Sequence, residues 1–596
     1  VIVLGINPGW DSTAALVVDG EVVAAVEEER LSRVKMHLGF PRKAIPEVLR
    51  IAGVDPADVD RVSFSFVDYL SAHPAITQLL LRDGGFPFDP ENPLEPAKVL
   101  RSLLGVAREP GVVSSGFGKA SSRFAEQNSA TYLKVLAELG IQVEELTAVD
   151  HHLSHAASAY FCSGFDDCLV VTADGCGDGR SATVSLARDG EMTPLADSDE
   201  NHSAGFLYSS ITSFLGFRAH RHEGKITGLA AYGDPQRCYE HFRPCLGVSS
   251  DGSSFVSEMA DSSWLDRARY LTRLPSHRYY RKGVLNAYEE HYRRTLSDSS
   301  REDVAAAVQA RLEEVMLAYL RPILRRTGTR KLALAGGIFA NVKLNQRLYE
   351  LDEVDEVYVH PNMGDGGNAV GSALQVAHDE GGNGSAAAMP DVYLGPSFSE
   401  REIESELRRR GLPFTHHEDV EAEIAKRVAG GGAVGRFNGR MEYGPRALGN
   451  RSILANPTDP EINDVLNQRL HRTEFMPFAP SVLAEDASEY FGLSNGSRRA
   501  AEFMTITCDV EPDLRERIPA VTHVDGTARP QLVRKEVNPS YHRILSEFKK
   551  QTGLAAMINT SFNIHEQPIV CTPADACIAY EQGSVDALAI GKFLVE

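Results

Sequence analysis

Short apolar runs alternate with stretches of helical periodicity along this chain, the pattern of an α/β protein. Residues 1–6, 14–18 and 21–26 predict three strands, the last two joined by an Asp19-Gly20 turn. Between the first two lies Asn7-Pro8-Gly9-Trp10-Asp11-Ser12-Thr13. This turn could present Asp11 and backbone N–H groups to a phosphate or a metal-bound phosphate, and it equally fits a plain β-turn. The charged stretch 27–35 predicts a solvated surface, with Arg33 and Lys35 as candidates to meet an anionic ligand. A helix is predicted over 41–52, stopped by Gly53, then a strand over 62–66 and a helix over 130–139. Residues 67–125 carry little pattern and read as a substrate-specific insert.

The centre of the chain is DHHLSHAASAY at 150–160. Asp150 predicts an N-cap, and His151 and His155, four apart, share one face of the helix that follows. Two imidazoles so placed can point at one cation. The same spacing fits a helix start with solvated histidines. A buried strand over 168–172 ends in Asp174-Gly175-Cys176-Gly177-Asp178-Gly179, a turn suited to a phosphate or a metal-bound phosphate and also common as a plain Gly-rich hairpin, and 182–186 is its return strand. Ser203 opens a further helix, and Pro322 is expected to end or kink a long one over 301–320. A strand at 331–334 leads into Gly336-Gly337 and a helix entry carrying Asn341 and Asn345 one turn apart, a nucleotide-type turn. A strand at 356–359 runs into the glycine loop of Asp365, before a helix that starts near Asn368. Asp365 is placed as a third metal ligand or as that helix's cap.

GGNGSAAA at 381–388 has the composition of a linker. Beyond it, helices at 403–410 and 462–469 and strands at 433–437 and 557–559 predict a second α/β unit. Its polar signals are Arg436, Arg440, Arg446 and Arg451 amid glycines, HRTEFMPFAP from His471, the stretch 523–530, and Asn559-Thr560-Ser561. Fixed guanidiniums and hydroxyls suit phosphate or carboxylate recognition, and surface arginines are the plain alternative.

Composition narrows the function. With 43% apolar and 24% charged residues this is an ordinary globular chain, and 596 residues predict two or three domains. Its net charge of −21 disfavours nucleic acid as the main substrate. No apolar run is long enough for a membrane span, the N-terminus does not read as a secretory signal, and eight cysteines without a CxxC pair fit a reducing cytoplasm.

Ten ordered blocks resemble the antibiotic and nodulation-factor O-carbamoyltransferase family over almost the whole chain. They are DSTAALVVDGEVVAAVEEERLSR, HHLSHAASAY, ADGCGDG, GKITGLAAYGD, GGIFANVKLN, GDGGNAVGSA, GRMEYGPRALGNRSIL, RTEFMPFAP, HVDGTARPQ and INTSFN. The resemblance implies an N-terminal duplicated actin/sugar-kinase-like α/β domain over 1–380, a linker over 381–392 and a C-terminal YrdC-like α/β domain over 393–596. It implies an enzyme that makes carbamoyladenylate from ATP and carbamoyl phosphate and transfers the carbamoyl group to a hydroxyl of a small metabolite. It further implies a divalent metal, usually iron, held by His151, His155 and Asp365, and Mg with ATP. Asp174 falls at the adjoining phosphate turn, Lys35 matches a functional lysine, and Asp11 belongs to the acceptor turn. Gly336, Gly337, Asn341 and Asn345 match a nucleotide-binding segment. Arg446, Arg529, Asn559 and Ser561 match the adenylate-forming site, with His471 at its edge. Two departures stand out: Trp10 precedes Asp11 where relatives often carry His, and His471 stands where they often carry Lys. No nucleic-acid or membrane partner is expected, a homodimer is a candidate assembly, and the cytoplasm is the expected compartment. The competing readings are a tRNA threonylcarbamoyl-type transferase and a non-catalytic nucleotide-binding protein.

Overall fold

The computed structural model describes residues 1–71, 74–81, 117–261, 277–381, 387–471 and 476–596. They form two compact units. The first comprises Val1–Glu28, Met36–Ala340 and Met363–Ala388; the second comprises Met389–Glu596 with Glu29–Lys35 and Asn341–Asn362. The expected division at 1–380 and 393–596 therefore differs at two short stretches. Their side chains find partners within the second unit: Arg30 donates to the Gly444 carbonyl (2.9 Å), Arg33 to the Ile569 carbonyl (2.7 Å) and Asn345 to the Thr505 carbonyl (2.7 Å). Residues 382–386 of the expected linker lie outside the described residues, as do 82–116 of the weakly patterned insert and 472–475 beside His471.

In the first unit, β1 (Ile2–Asn7), β2 (Thr13–Val18), β3 (Glu21–Glu27), β4 (Arg61–Phe64) and β5 (Thr147–Ala148) make a sheet ordered β3-β2-β1-β4-β5. The first three strands form an antiparallel meander, and β4 and β5 add in parallel. The arrangement recurs in β6 (Asp167–Gly177), β7 (Arg180–Arg188), β8 (Glu191–Asp199) and β9 (Lys331–Ala335). Here β6-β7-β8 is the antiparallel meander and β9 pairs β6 in parallel, so the unit is internally duplicated. Turn chemistry repeats as well. Asp19-Gly20 and Asp189-Gly190 close the matching hairpins with positive φ at both residues, as a tight turn between twisted strands demands. Asp11 and Asp178, in the equivalent first turns, are both left-handed, at φ 48° and 47°.

The helices that matter are α1 (Ala44–Ala52), α2 (His151–Ser163), α3 (Ala204–Phe214), α4 (Arg301–Thr327) and α5 (Asn368–Asp379). Helix α5 lies against β1 and α2 at backbone distance. A Cβ on Gly5 would stand 1.9 Å from the Ala369 carbonyl oxygen, and one on Gly371 1.8 Å from that of Ser154. These two glycines let the start of α5 reach the start of α2.

Three expectations change. Helix α4 runs through Pro322 to Thr327 instead of ending there. Pro322 removes the donor for the Ala318 carbonyl, but both residues are exposed, so water replaces it while Tyr319, Leu320, Ile323 and Leu324 keep the helix packed. The charged stretch 27–35 is not a solvated surface: Glu27, Glu28, Glu29 and Arg30 are all buried. Glu28 accepts the free N–H groups of Lys43 and Ala44 at the start of α1, and Arg30 pairs with Glu29 at 2.7 Å. Strand β8, polar and partly exposed, has no apolar run to announce it.

The second unit holds a mixed eight-stranded sheet. Its strands are β10 (Phe414–His416), β11 (Val434–Phe437), β12 (Arg451–Ala455), β13 (Ala479–Leu483), β14 (Gln531–Val533), β15 (Ala556–Ser561), β16 (Ala587–Ile590) and β17 (Phe593–Val595). Their order is β10-β17-β16-β11-β12-β15-β13-β14, with only β11/β16 and β13/β14 parallel. Helices α6 (Val420–Ala429) and α7 (Pro539–Thr552) pack on each other and on the central strands.

Candidate functional site

Four side chains from three elements of the first unit converge. Asp150 caps α2 by accepting the Leu153 N–H at 3.0 Å, which sets His151 and His155 on the turn facing the end of β6. Asp174 stands at that strand end, and Asp365 in the turn leading into α5. The Asp174 Oδ2 lies 3.3 Å from His151 Nε2 and 3.2 Å from His155 Nε2. Asp365 Oδ1 lies 3.9 and 3.6 Å from the same two nitrogens. One ligand atom from each of the four lies within 4.8 Å of the others. Both imidazoles are fully buried, whereas the carboxylates keep a partly open side.

The electrostatics describe a set of groups short of one cation. Burial drives His151 down to about 3, helped by the neighbouring imidazoles and opposed by Asp174. Burial also opposes protonation of His155, but Asp174 and Asp365 outweigh it and raise the group to about 9. Asp365 is raised to about 7, by burial first and then by the charge of Asp174. Asp174 itself is held low by the two histidines, against its burial. Two carboxylates and two imidazoles converging this way suit a divalent transition metal. Orphaned polar atoms support the fit. Among the described residues, the buried His155 Nδ1 and Asn368 Oδ1 have no hydrogen-bond partner. The Asn368 amide sits 3.3 Å from both His151 Nδ1 and His155 Nε2 through its nitrogen. Turning the amide over would let its oxygen accept an Nδ1–H from His151 and leave the His151 Nε2 lone pair for an ion.

The turn of Asp11 joins this cluster. Asn7 donates to the Trp10 carbonyl (2.6 Å) and to the Asp365 carbonyl (3.0 Å), tying the two loops together. The Asp11 Oδ2 approaches Gly364, 4.0 Å from where a Cβ there would stand. Trp10 stacks on His220, ring centroids 6.0 Å apart. Gly336 and Gly337 are also at the cluster. Gly336, at φ 107°, donates to the Met363 carbonyl at 2.7 Å, and a Cβ on Gly337 would lie 2.9 Å from Asp174 Oδ1. A Cβ on Gly336 would stand 2.2 Å from the Ala173 carbonyl oxygen, so Gly336 lets this loop pass close to the end of β6 and Gly337 leaves the Asp174 carboxylate its place.

Asn341 and Asn345 do not join Gly336 and Gly337 in this unit; they belong to the second. Asn341 caps its own helix by accepting the Leu344 N–H at 3.0 Å, and the Asn345 amide donates to the Thr505 carbonyl. Lys35 pairs with Glu29 at 2.9 Å, also in the second unit.

The second unit sorts its arginines. Arg436 donates to the Gly449 carbonyl, Asn450 and Ser540, and Arg451 to the carbonyls of Asn438, Asn450, Pro396 and Gly439. Arg440 holds the carbonyls of Leu394 and Gly395. These three brace the loop, so the four-arginine anion site expected from the sequence reduces to Arg446. Its partner is Arg529. Burial pulls Arg446 down to about 10, and burial together with the charge of Arg446 pulls Arg529 well below the usual arginine range. Neither has a carboxylate partner among the described residues, and the Arg446 Nε is a buried orphan. Asn559 adjoins them: its amide donates to the Ala447 carbonyl (3.1 Å) and to Gln531 (2.8 Å), and its Oδ1 is unpartnered. Ser561 follows two residues along the same strand, on the same face of β15. His471, left-handed at φ 54° and exposed, lies just past the end of the 462–469 helix. Glu442 was not foreseen; its Oε1 accepts the N–H groups of Leu448, Asn450 and Arg451 and shapes the loop that carries Arg446.

Two family models match, described as Carbamoyltransferase N-terminus over residues 2–374 and Carbamoyltransferase C-terminus over residues 425–596. The nodulation protein NolNO of Sinorhizobium fredii is 34% identical over 98% of this chain and 79% of its own length. The nodulation protein NolO of Bradyrhizobium diazoefficiens is 36% identical over 75% of this chain and 78% of its own. Nodulation protein U of S. fredii is 26% identical over 96% of both. Among solved structures, full-length HypF in its phosphate- and nucleotide-bound form covers 64% of this chain and 56% of its own, with 13% identity and a TM-score of 0.30, too slight a likeness to carry an argument.

Proposed function

The chain belongs to the carbamoyltransferase family, and on that premise we propose that it makes carbamoyladenylate from ATP and carbamoyl phosphate and passes the carbamoyl group to a hydroxyl of a small metabolite, an antibiotic, toxin or sugar-like natural product. The observation that carries this reading is the presence of two unlike polar centres in one chain. One gathers two imidazoles and two carboxylates, a set made for a cation. The other brings two guanidiniums, neither with a carboxylate partner among the described residues, into each other's field, a set made for anions.

Arg446 and Arg529 bind the anionic groups of ATP, which comes with Mg, and of carbamoyl phosphate. Their like charges, left unpaired, are neutralised only when substrate arrives. Asn559 and Ser561 orient the bound groups from β15. There water cleaves carbamoyl phosphate to carbamate and inorganic phosphate, and a carbamate oxygen attacks the α-phosphorus of ATP, giving carbamoyladenylate as pyrophosphate leaves. In the other centre, His151, His155, Asp174 and Asp365 would hold a divalent ion, iron the first candidate, which when bound supplies a Lewis acid and a template for carbonyl and phosphate oxygens. Gly336 and Gly337 bring a loop free of side chains to the Asp174 end of β6, where the adenylate is received. Asp11 receives the proton of the acceptor hydroxyl as its oxygen attacks the carbamoyl carbon and AMP leaves.

Pyrophosphate release by the purified, metal-loaded protein tests this, with ATP and carbamoyl phosphate omitted in turn. Release that needs both supports the proposal. No release from folded protein removes the adenylate route and leaves only carbamoyl transfer of the family kind.

A further inference from the structure

Asp178 is not part of the four-residue cluster, yet its carboxylate does unusual work. Its Oδ2 accepts the His151 N–H at 2.8 Å and the Val67 N–H at 3.1 Å, and its Oδ1 accepts the Asp68 N–H at 2.9 Å. Three backbone amides from two distant segments thus end on one side chain. Its own backbone is left-handed, at φ 47°, the conformation that the β6–β7 hairpin requires. The neighbours of this clamp close around the His151 ring. The Phe66 ring packs on the imidazole with centroids 4.0 Å apart. Gly177 passes along the ring so closely that a Cβ there would stand 2.2 Å from His151 Cδ2. Just beyond, Tyr69 lies over the turn of Asp11, its hydroxyl 2.3 Å from where a Cβ on Gly9 would be.

We propose that Asp178 is the positioning residue of the metal centre: by holding the His151 backbone and the segment that carries Phe66 on one carboxylate, it fixes the His151 imidazole for the ion without touching it. The physical reason lies in how few constraints α2 imposes at its first residue. His151 is the N-terminal residue of the helix, and its N–H has no acceptor within the helix. Asp150 satisfies the Leu153 N–H instead. Without Asp178 the first turn can fray, and Phe66 loses the anchor that presses it on the ring. The imidazole then samples orientations that cannot ligate. Groups one shell outside a metal ligand commonly change affinity by about 10–100-fold.

This rests on the cation reading of the cluster, and the experiment separates the two. Zn²⁺ and Mn²⁺ are titrated calorimetrically into the metal-free full-length chain, its Asp178→Asn and Asp178→Ala variants and Phe66→Leu, with circular dichroism to establish folding. Wild type binds one ion. Asp178→Asn, which keeps an acceptor oxygen, loses less than about tenfold in affinity; folded Asp178→Ala loses about 10–100-fold. Phe66→Leu falls between them. Wild-type affinity in both folded Asp178 variants overturns the inference and leaves the metal reading standing. Wild type that binds neither ion overturns both. If Asp178→Ala does not fold, Asp178→Asn and Phe66→Leu decide: unchanged affinity in both overturns the inference.

Discussion

His155 Nε2 lies 3.2 Å from Asp174 Oδ2, the shortest of the four His–Asp distances in the cluster, although the sequence places Asp174 only in an adjoining phosphate or metal–phosphate turn. If both serve one ion, Asp174→Asn and His155→Ala lower carbamoyl transfer at least about 100-fold, as loss of a charge-stabilising group does. Both leave ATP- and carbamoyl-phosphate-dependent pyrophosphate release intact, and wild type stripped of its cluster ion by a chelator, then assayed with the chelator removed and Mg restored, shows the same phenotype. Loss of pyrophosphate release in either variant assigns the cluster to the wrong half-reaction.

Arg446 and Arg529 hold two like charges in each other's field, and neither meets a carboxylate among the described residues. Arg529→Ala is expected to abolish pyrophosphate release, by about 100-fold or more. It should leave the thermal midpoint of the ligand-free protein unchanged or raised, since it removes a repulsion and a desolvation cost. ATP should raise the midpoint of wild type and not that of the variant. A drop in the ligand-free midpoint means that the pair is structural.

Glu28 gives a pH dependence of stability. Burial raises its carboxyl to about 7 in the folded protein, against 4.5 for the free group. Below 4.5 both states hold the proton, and the group costs nothing. As pH rises towards 7 the unfolded chain releases the proton first, so stability is lost across that window, by roughly 3 kcal/mol at most. Glu28→Gln does not titrate. Denaturant unfolding at several pH values should show its stability relative to wild type growing from pH 4.5 to 7 and level above; a constant difference refutes the assignment.

Gly371→Ala tests the packing that brings the two ligand-bearing helices together. Its Cβ would meet the Ser154 carbonyl at 1.8 Å, so α2 and α5 must separate. Destabilisation by about 1–3 kcal/mol and weaker Zn²⁺ binding are expected, read by unfolding and calorimetry. A variant as stable and as tight as wild type shows that the helices yield elsewhere.

How far the sequence reached differs between the two centres. The pair His151/His155 is legible because both sit on one short helix whose cap, Asp150, is in the sequence beside them. The Asp-Gly hairpins and the starts of α2 and α3 are legible for the same reason. The four arginines of the 436–451 loop look alike in sequence. Arg436 and Arg451 are nonetheless spent on carbonyls and side chains of their own unit, and Arg446 is not. Asn345 reads as a ligand contact and is engaged by Thr505, 160 residues away. The stretch 27–35 reads as surface, yet Glu27, Glu28, Glu29 and Arg30 are buried and 31–35 half-buried, because its charges find partners that no local pattern announces.

Strand and helix periodicity, turn residues and the HxxxH spacing are properties of neighbours along the chain, and the sequence alone determined them: an α/β protein with a cation-ready helix and an arginine-rich loop. That Asp174 joins Asp365 at that helix, which arginine stays uncommitted, and that Asp178 braces His151 were decided only in the tertiary structure. Hydrogen bonds and charges are satisfied within about 3–4 Å in space, and the groups that satisfy them here come from segments far apart in sequence.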